Sequence, residues 1–377
     1  MKKFRTLILI FSLIFLFAPV AFAENFEEIY TEQFKLSGAT EIEKAVPKES
    51  KETLEKMGID AENPAGMLNF DLSKILVSIV QTVKEKISFP FGSFLSITAI
   101  MLLFVLVQSI YPPLRNEEMS RVLNLVSSLC ISICIINPAV KTISLVSLVI
   151  KSACNFIFCY VPVMSTIMIA SGQSICAASY HTFIIFAGQI ISRLSEDFLM
   201  PLLNVLLGLC VVCSISPHLK LGEICKMIMK TLKNILEFFS VIFTSILTLQ
   251  NLVASSGDSL KSSLAKCVLG QCVPIVGGMV SDAYSTVQGS IRLLKSGVGA
   301  FGVFAGAVVF LPAFAECGLW IIFLNFSKCI GDILELKNIS SLIKSVASVM
   351  STVMAILVFS FVILVVSCVV MLVIGGK

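Results

Sequence analysis

From residue 91 to the end of the chain, apolar runs recur at close to the ~20 residues that an α-helix needs to cross a bilayer. Hydrocarbon offers no partner to a backbone N–H or C=O, so a chain built from such runs must satisfy those groups within each segment. That requirement predicts an all-α polytopic integral membrane protein. Composition agrees: 56% of the 377 residues are hydrophobic, only 14% are charged, and the mean hydropathy is +0.96. These values lie well beyond those of a soluble domain.

The spacing predicts about eight transmembrane helices, with a range of about seven to nine. The first covers residues 91–111 and ends at Pro112-Pro113; the second covers 122–140. Residues 142–170 are interrupted by Lys151 and are read as one crossing, an amphipathic entry followed by a shorter span from Asn155. Two more, at 177–194 and 198–216, are separated by Ser195-Glu196-Asp197, which predicts a tight polar turn. The next loop carries Lys220, Lys226, Lys230 and Lys233, and short cytoplasmic loops are rich in Lys and Arg. Further spans follow at 236–253, within the apolar region 297–330 that holds Trp320, and at 353–374.

The N-terminus has a different character. A basic start, a short apolar stretch and Ala21-Phe22-Ala23 predict a signal peptide over residues 1–23, the alternative being an uncleaved anchor. Either reading puts Glu24 outside the cytoplasm. Residues 24–88 form an acidic extracytoplasmic segment, with eleven acids against five lysines between 24 and 66. Within it, Pro47 and Gly58 bracket a predicted helix over 48–57. A second, amphipathic helix over 72–87 sets Leu72, Ile75, Leu76, Ile79, Val83 and Ile87 against a stripe of Lys74, Ser78, Gln81 and Glu85. Residues 89–377 form the multi-span membrane domain.

The chemistry visible in the sequence is sparse. The chain has thirteen cysteines, mostly inside apolar runs where a thiol behaves as a small hydrophobe. Two histidines, no phosphate-binding loop and no nucleophile motif leave no enzyme, no cofactor and no metal site to name. No basic cluster with interleaved aromatics supports nucleic-acid binding. Intramembrane charges are costly and mark partners or pathways, which singles out Lys151 and Glu316. Lys151 either snorkels from an interfacial helix or lines a pathway; Glu316 is either a buried structural partner or a pathway residue.

The stretch "PIVGGMVSDAYSTVQGS" at 274–290 interrupts the apolar chain. Pro274, Gly277 and Gly278 predict a flexible lead-in to an amphipathic helix, with Ser281, Ser285, Gln288, Arg292 and Lys295 on its polar stripe and Asp282 beside it. Gly277, Gly278, Ser281, Asp282, Ser285, Gln288, Arg292, Glu316 and Lys151 are therefore the candidate pore-lining or partner-facing residues. The alternative for the helix is a place on the membrane surface.

The order of features resembles the stage III sporulation protein AE family of endospore-forming bacteria. The residues that carry the resemblance are the acidic exported segment with "MGID" at 57–60, the long polytopic region, "VPIVGGMVSDAYSTVQGSIRLLKSGVGAFG" and the terminal span. The resemblance implies a non-enzymatic membrane subunit of a secretion-like complex needed for forespore development after engulfment. Its implied partners are the lipid bilayer, other membrane and ring-forming proteins of the same sporulation complex, and a separate ATPase. The implied location is the mother-cell membrane around the forespore, with the acidic segment facing the intermembrane space. The second function in view is a self-sufficient ion-coupled permease for a small solute.

Overall fold

The computed structural model describes residues 33–59, 72–110, 117–215, 221–271 and 277–373, and for 72, 117–121, 124, 214–215, 221, 248–271 and 277–287 the backbone alone. The expected signal peptide and the lead-in at 272–276 lie outside the described residues. Among those described there is no strand.

The N-terminal segment supplies α1 (Thr40–Ala45) and α2 (Lys48–Met57). Helix α2 has the predicted bounds because its ends are chemically marked. Pro47 precedes it, and Gly58 stands beyond it in the left-handed conformation, φ 74°. The Gly58 and Ile59 N–H groups donate to the Glu55 and Leu54 carbonyls, and Leu54 and Ile59 are both buried, which is a Schellman ending with its apolar contact. This segment shares one core with the long helices. Phe34, Ala39, Ile42 and Leu54 are buried, α1 packs on the helix Glu117–Ala170 and α2 on the helix Gly277–Ile333.

Helix α3 (Leu72–Lys86) leads almost directly into α4 (Ser88–Ile110). Its packing divides both stripes of the sequence reading: Ser78, on the polar stripe, is 7% exposed, whereas Leu76, on the apolar one, is 61% exposed. The helix is rolled so that Ile75, Ser78 and Ile79 face inward, and Leu76, Val77 and Val80 point out.

The remaining helices are long. They are α5 (Glu117–Ala170, 54 residues), α6 (Ser174–Arg193), a π-helical turn (Leu194–Leu199), α7 (Met200–Ile215), α8 (Leu221–Gln271, 51 residues), α9 (Gly277–Ile333, 57 residues) and α10 (Lys337–Val373). Among the described residues five helical stretches are long and apolar enough to cross a membrane, namely Ser88–Ile110, Leu125–Ala170, Ser174–Cys213, Gln288–Ile333 and Lys337–Val373.

Three expected breaks are absent from these helices. The runs 122–140 and 142–170 are one helix, which continues through Pro138 and Pro162. Thr166 donates its hydroxyl to the Pro162 carbonyl at 3.0 Å, and Thr142 Oγ1 lies 3.2 Å from the Pro138 carbonyl oxygen. Ser195-Glu196-Asp197 is no turn but part of the π-helical segment, which carries the chain from α6 into α7 without reversing it. Lys226, Lys230 and Lys233 belong to helix α8 rather than to a loop.

Side-chain contacts fix how the helices run. Tyr160 lies against Gly302 and Thr142 bonds Glu316, so α5 and α9 are antiparallel. Helices α9 and α10 are antiparallel along most of their lengths, from Gly299 against Leu372 to Asp332 beside Ser340. Glycine permits this approach. A methyl group at Gly302 would sit 2.2 Å from Tyr160 Cε2, and one at Gly306 2.1 Å from Leu364 Cδ2. Small residues that let backbones close together are a recurrent means of packing helices in lipid. Helix α10 is the most enclosed element, with nineteen buried residues from Ile339 to Met371.

Candidate functional site

Among the described residues several polar contacts join segments that are distant in sequence, and two of them hold candidate residues named above. The first is at Glu316. This residue is half-buried on α9, and Thr142, 0% exposed on α5, has its hydroxyl 2.8 Å from Glu316 Oε1. The aromatic surroundings come from α4 and α9: Phe89 meets Trp320 edge-on at 6.2 Å, and Lys141 Nζ lies 5.5 Å from the centre of the Phe89 ring. Glu316 therefore has a partner across a helix interface.

The second contact is at Lys151. Its ammonium is 3.4 Å from Glu196 Oε1, on the π-helical turn. A π-turn inserts an extra residue into the helical repeat and so re-aims the side chains around it. Here it places Glu196 toward α5 while Asp197 stays exposed. Lys151 and Glu316 are not brought together, since Lys151 lies nine residues, or about 13 Å, further along α5 than Thr142.

The third contact escaped the candidate set. Lys295, on the polar stripe of α9, is 4% exposed and donates to Gln173 Oε1 at 2.9 Å. Gln173 sits in the turn between α5 and α6, where Gly172 takes φ 84° and lies near Gln288. On the same face Gln33 Nε2 donates to Ser290 Oγ at 2.9 Å, which ties the N-terminal segment to α9. The polar stripe thus divides: Lys295 is buried in contact with protein, Gln288 is half-buried and Arg292 is exposed. Gly277 and Gly278 open helix α9, while the side chains of Ser281, Asp282 and Ser285 lie outside the described residues. The amphipathic stretch and the apolar region after it form one helix. Of the missed partners, Thr142 opens a segment read by its apolar period, while Gln173 and Glu196 lie between predicted spans, and none carries a local signal for its contact.

These sites tie helices together and carry charge at defined heights of the bundle. Among the described residues no group of three or more His, Cys, Asp or Glu side chains is gathered as a metal would require.

Comparison with known proteins gives the family. The family model described as stage III sporulation protein AE matches residues 58–375, from the end of α2 through α10. Stage III sporulation protein AE of Bacillus subtilis (strain 168) is 24% identical over 213 residues, which is 56% of this chain and 53% of that protein. The alignment thus spans about half the length of that relative. No solved structure matches the chain. Because the family model takes in every long helix of the bundle, the chain belongs to the stage III sporulation protein AE family.

Proposed function

We propose that the protein is a non-enzymatic membrane subunit of a channel-like sporulation complex that links mother cell and forespore and is needed for forespore development after engulfment. Family membership supports the sporulation role. The structural observation that supports an assembly is helix length. Helices α5, α8 and α9, at 54, 51 and 57 residues, would each measure about 75 to 85 Å if straight, against ~30 Å of bilayer hydrocarbon. Tilt absorbs only part of such an excess. A bundle of this kind reaches well beyond lipid and offers side surfaces to partner subunits, among them ring-forming proteins and a separate ATPase. In this reading it sits in the outer forespore membrane with its acidic segment in the intermembrane space.

The test has two arms. Deletion in the spore-forming host should arrest forespores after engulfment, and in-cell crosslinking of a tagged chain should recover a nucleotide-hydrolysing partner and further membrane proteins. Normal mature spores would sink the sporulation role, and capture of the chain with itself alone would sink the complex.

A second reading, an ion-coupled permease working through Glu316, has in its favour a half-buried carboxyl within an apolar helix. It requires solute flux by the purified chain in liposomes, abolished by Glu316→Gln.

A further inference from the structure

One height of the bundle is marked by three helices at once. Gly331 of α9 is enclosed there by Met101 of α4 and Ser340 of α10; a methyl group at Gly331 would lie 3.6 Å from Met101 Sδ and 3.5 Å from Ser340 Cβ. On the next turns of α10, Ser341, Lys344, Ser345 and Ser348 face Gly222, Cys225, Lys226 and Met229 of α8 across a cleft of about 100 Å³. Helices α4 and α8 are therefore at the same level. Helix α4 packs on α5 and α9, and helix α8 on α10, α6, α7 and α9, so α9 and α10 stand between α4 and α8.

The two sides differ in what they turn outward. On the α4 side the exposed residues are Leu102, Leu103 and Leu106, continued on α5 by Leu125, Leu129 and Ile133, with Leu103 63% exposed. Residues 87–114 and 122–140 contain no Asp, Glu, Lys or Arg. On α8, by contrast, Glu223, Lys226, Lys230, Asn234 and Glu237 are all exposed and recur at three- and four-residue steps. They form one stripe parallel to the helix axis, about 21 Å long. Next to it runs a second exposed stripe, Ile224, Met227, Ile235 and Phe238. The α10 wall beside the polar stripe is hydroxylated, and Ser345 and Ser348 bond back to the Ser341 and Lys344 carbonyls.

A headgroup zone cuts across a helix, whereas this polar stripe runs along one. Charges spread through bilayer depth are retained where they face a cavity or a partner. We infer that the polar stripe of α8, with the serine face of α10, lines a water-filled path through the membrane, while α4 and the first part of α5 face lipid. The apolar stripe of α8 then marks the line where the lipid side meets the aqueous side. The inference rests on the proposed channel complex and specifies which face of this subunit such a conduit would use.

Spin labels on the full-length protein in its native membranes provide the test, with single cysteines replacing Lys230 and Asn234 on one side and Leu103 and Leu106 on the other. The α4 labels should be relaxed by oxygen, which partitions into lipid, and the α8 labels by a water-soluble nickel chelate, a reversal in sign of the accessibility ratio. Lipid-type accessibility at all four positions, water-type accessibility at all four, or α8 labels shielded from both agents would each overturn the inference. If removal of the native cysteines unfolds the protein, the gain in labelling by a membrane-impermeant maleimide over the parent reads the same contrast. Neither readout needs spores. A chain that crosslinks to its partners but fails here loses the lining role only. A chain that shows the contrast but captures no partner loses the complex, and the conduit with it.

Discussion

Thr142 on α5 donates its hydroxyl to Glu316 on α9 at 2.8 Å across 174 residues of sequence, in the middle of two of the longest helices. Hydrogen bonds between helices in membranes contribute about 0.6 kcal/mol on average and up to about 1.7. Thr142→Val should destabilise the purified protein by an amount in that range, read as a lower thermal midpoint. Glu316→Gln should not, because the amide oxygen still accepts from Thr142. A double-mutant cycle of Thr142→Val with Glu316→Leu should show positive coupling. Additive single effects would show that the contact is not made.

The glycine contacts predict a ranking. At Gly302 a methyl group meets the ring of Tyr160, which is fully enclosed and rigid; at Gly306 it meets only the tip of Leu364, which has rotamers to yield. Overpacking of a dense core costs about 1 to 3 kcal/mol. Gly302→Ala should fall at the upper end and Gly306→Ala below it, as measured by thermal unfolding in detergent. Equal effects would mean that the Tyr160 side chain relaxes as easily as Leu364.

The sequence rules that worked are local ones. Pro47 and Gly58 delimit α2 because proline pre-sets a helix start and glycine accepts the left-handed cap, and both effects act within a few residues. Helix class followed from hydrocarbon chemistry alone. Continuity did not: a polar triplet such as Ser195-Glu196-Asp197 reads as a turn in isolation, yet a π-turn spends those residues on an ion pair with Lys151. The family resemblance was legible from the glycine-rich stretch, whereas its burial was not. Lys295 and Arg292 are three residues apart on one polar stripe, and only the packing of the α5–α6 turn decides that the first is enclosed and the second exposed.

The Lys295–Gln173 contact should be sensitive to the acceptor. Gln173→Leu removes the oxygen 2.9 Å from a lysine that is 4% exposed. Loss of a hydrogen bond to a charged group typically costs about 1.5 to 3 kcal/mol. Gln173→Glu retains an acceptor and should stay within about 1 kcal/mol of the parent by the same measure. If both variants unfold at the parent temperature, Gln173 does not hold Lys295.

The ion pair between Lys151 and Glu196 can be tested by exchange. The two side chains are 60% and 36% exposed, so each single substitution should cost no more than about 1 kcal/mol through the lost attraction itself. Lys151→Glu sets two carboxylates together and Glu196→Lys sets two ammonium groups together, and like-charge contact adds to that cost. The double exchange restores opposite charges at the same 3.4 Å spacing. It should therefore recover yield and thermal midpoint above both single variants. This recovery depends on the π-turn, because an ordinary α-helical turn would aim residue 196 elsewhere. A double variant no better than the worse single variant would show that Lys151 and Glu196 act independently and that the π-turn serves another contact.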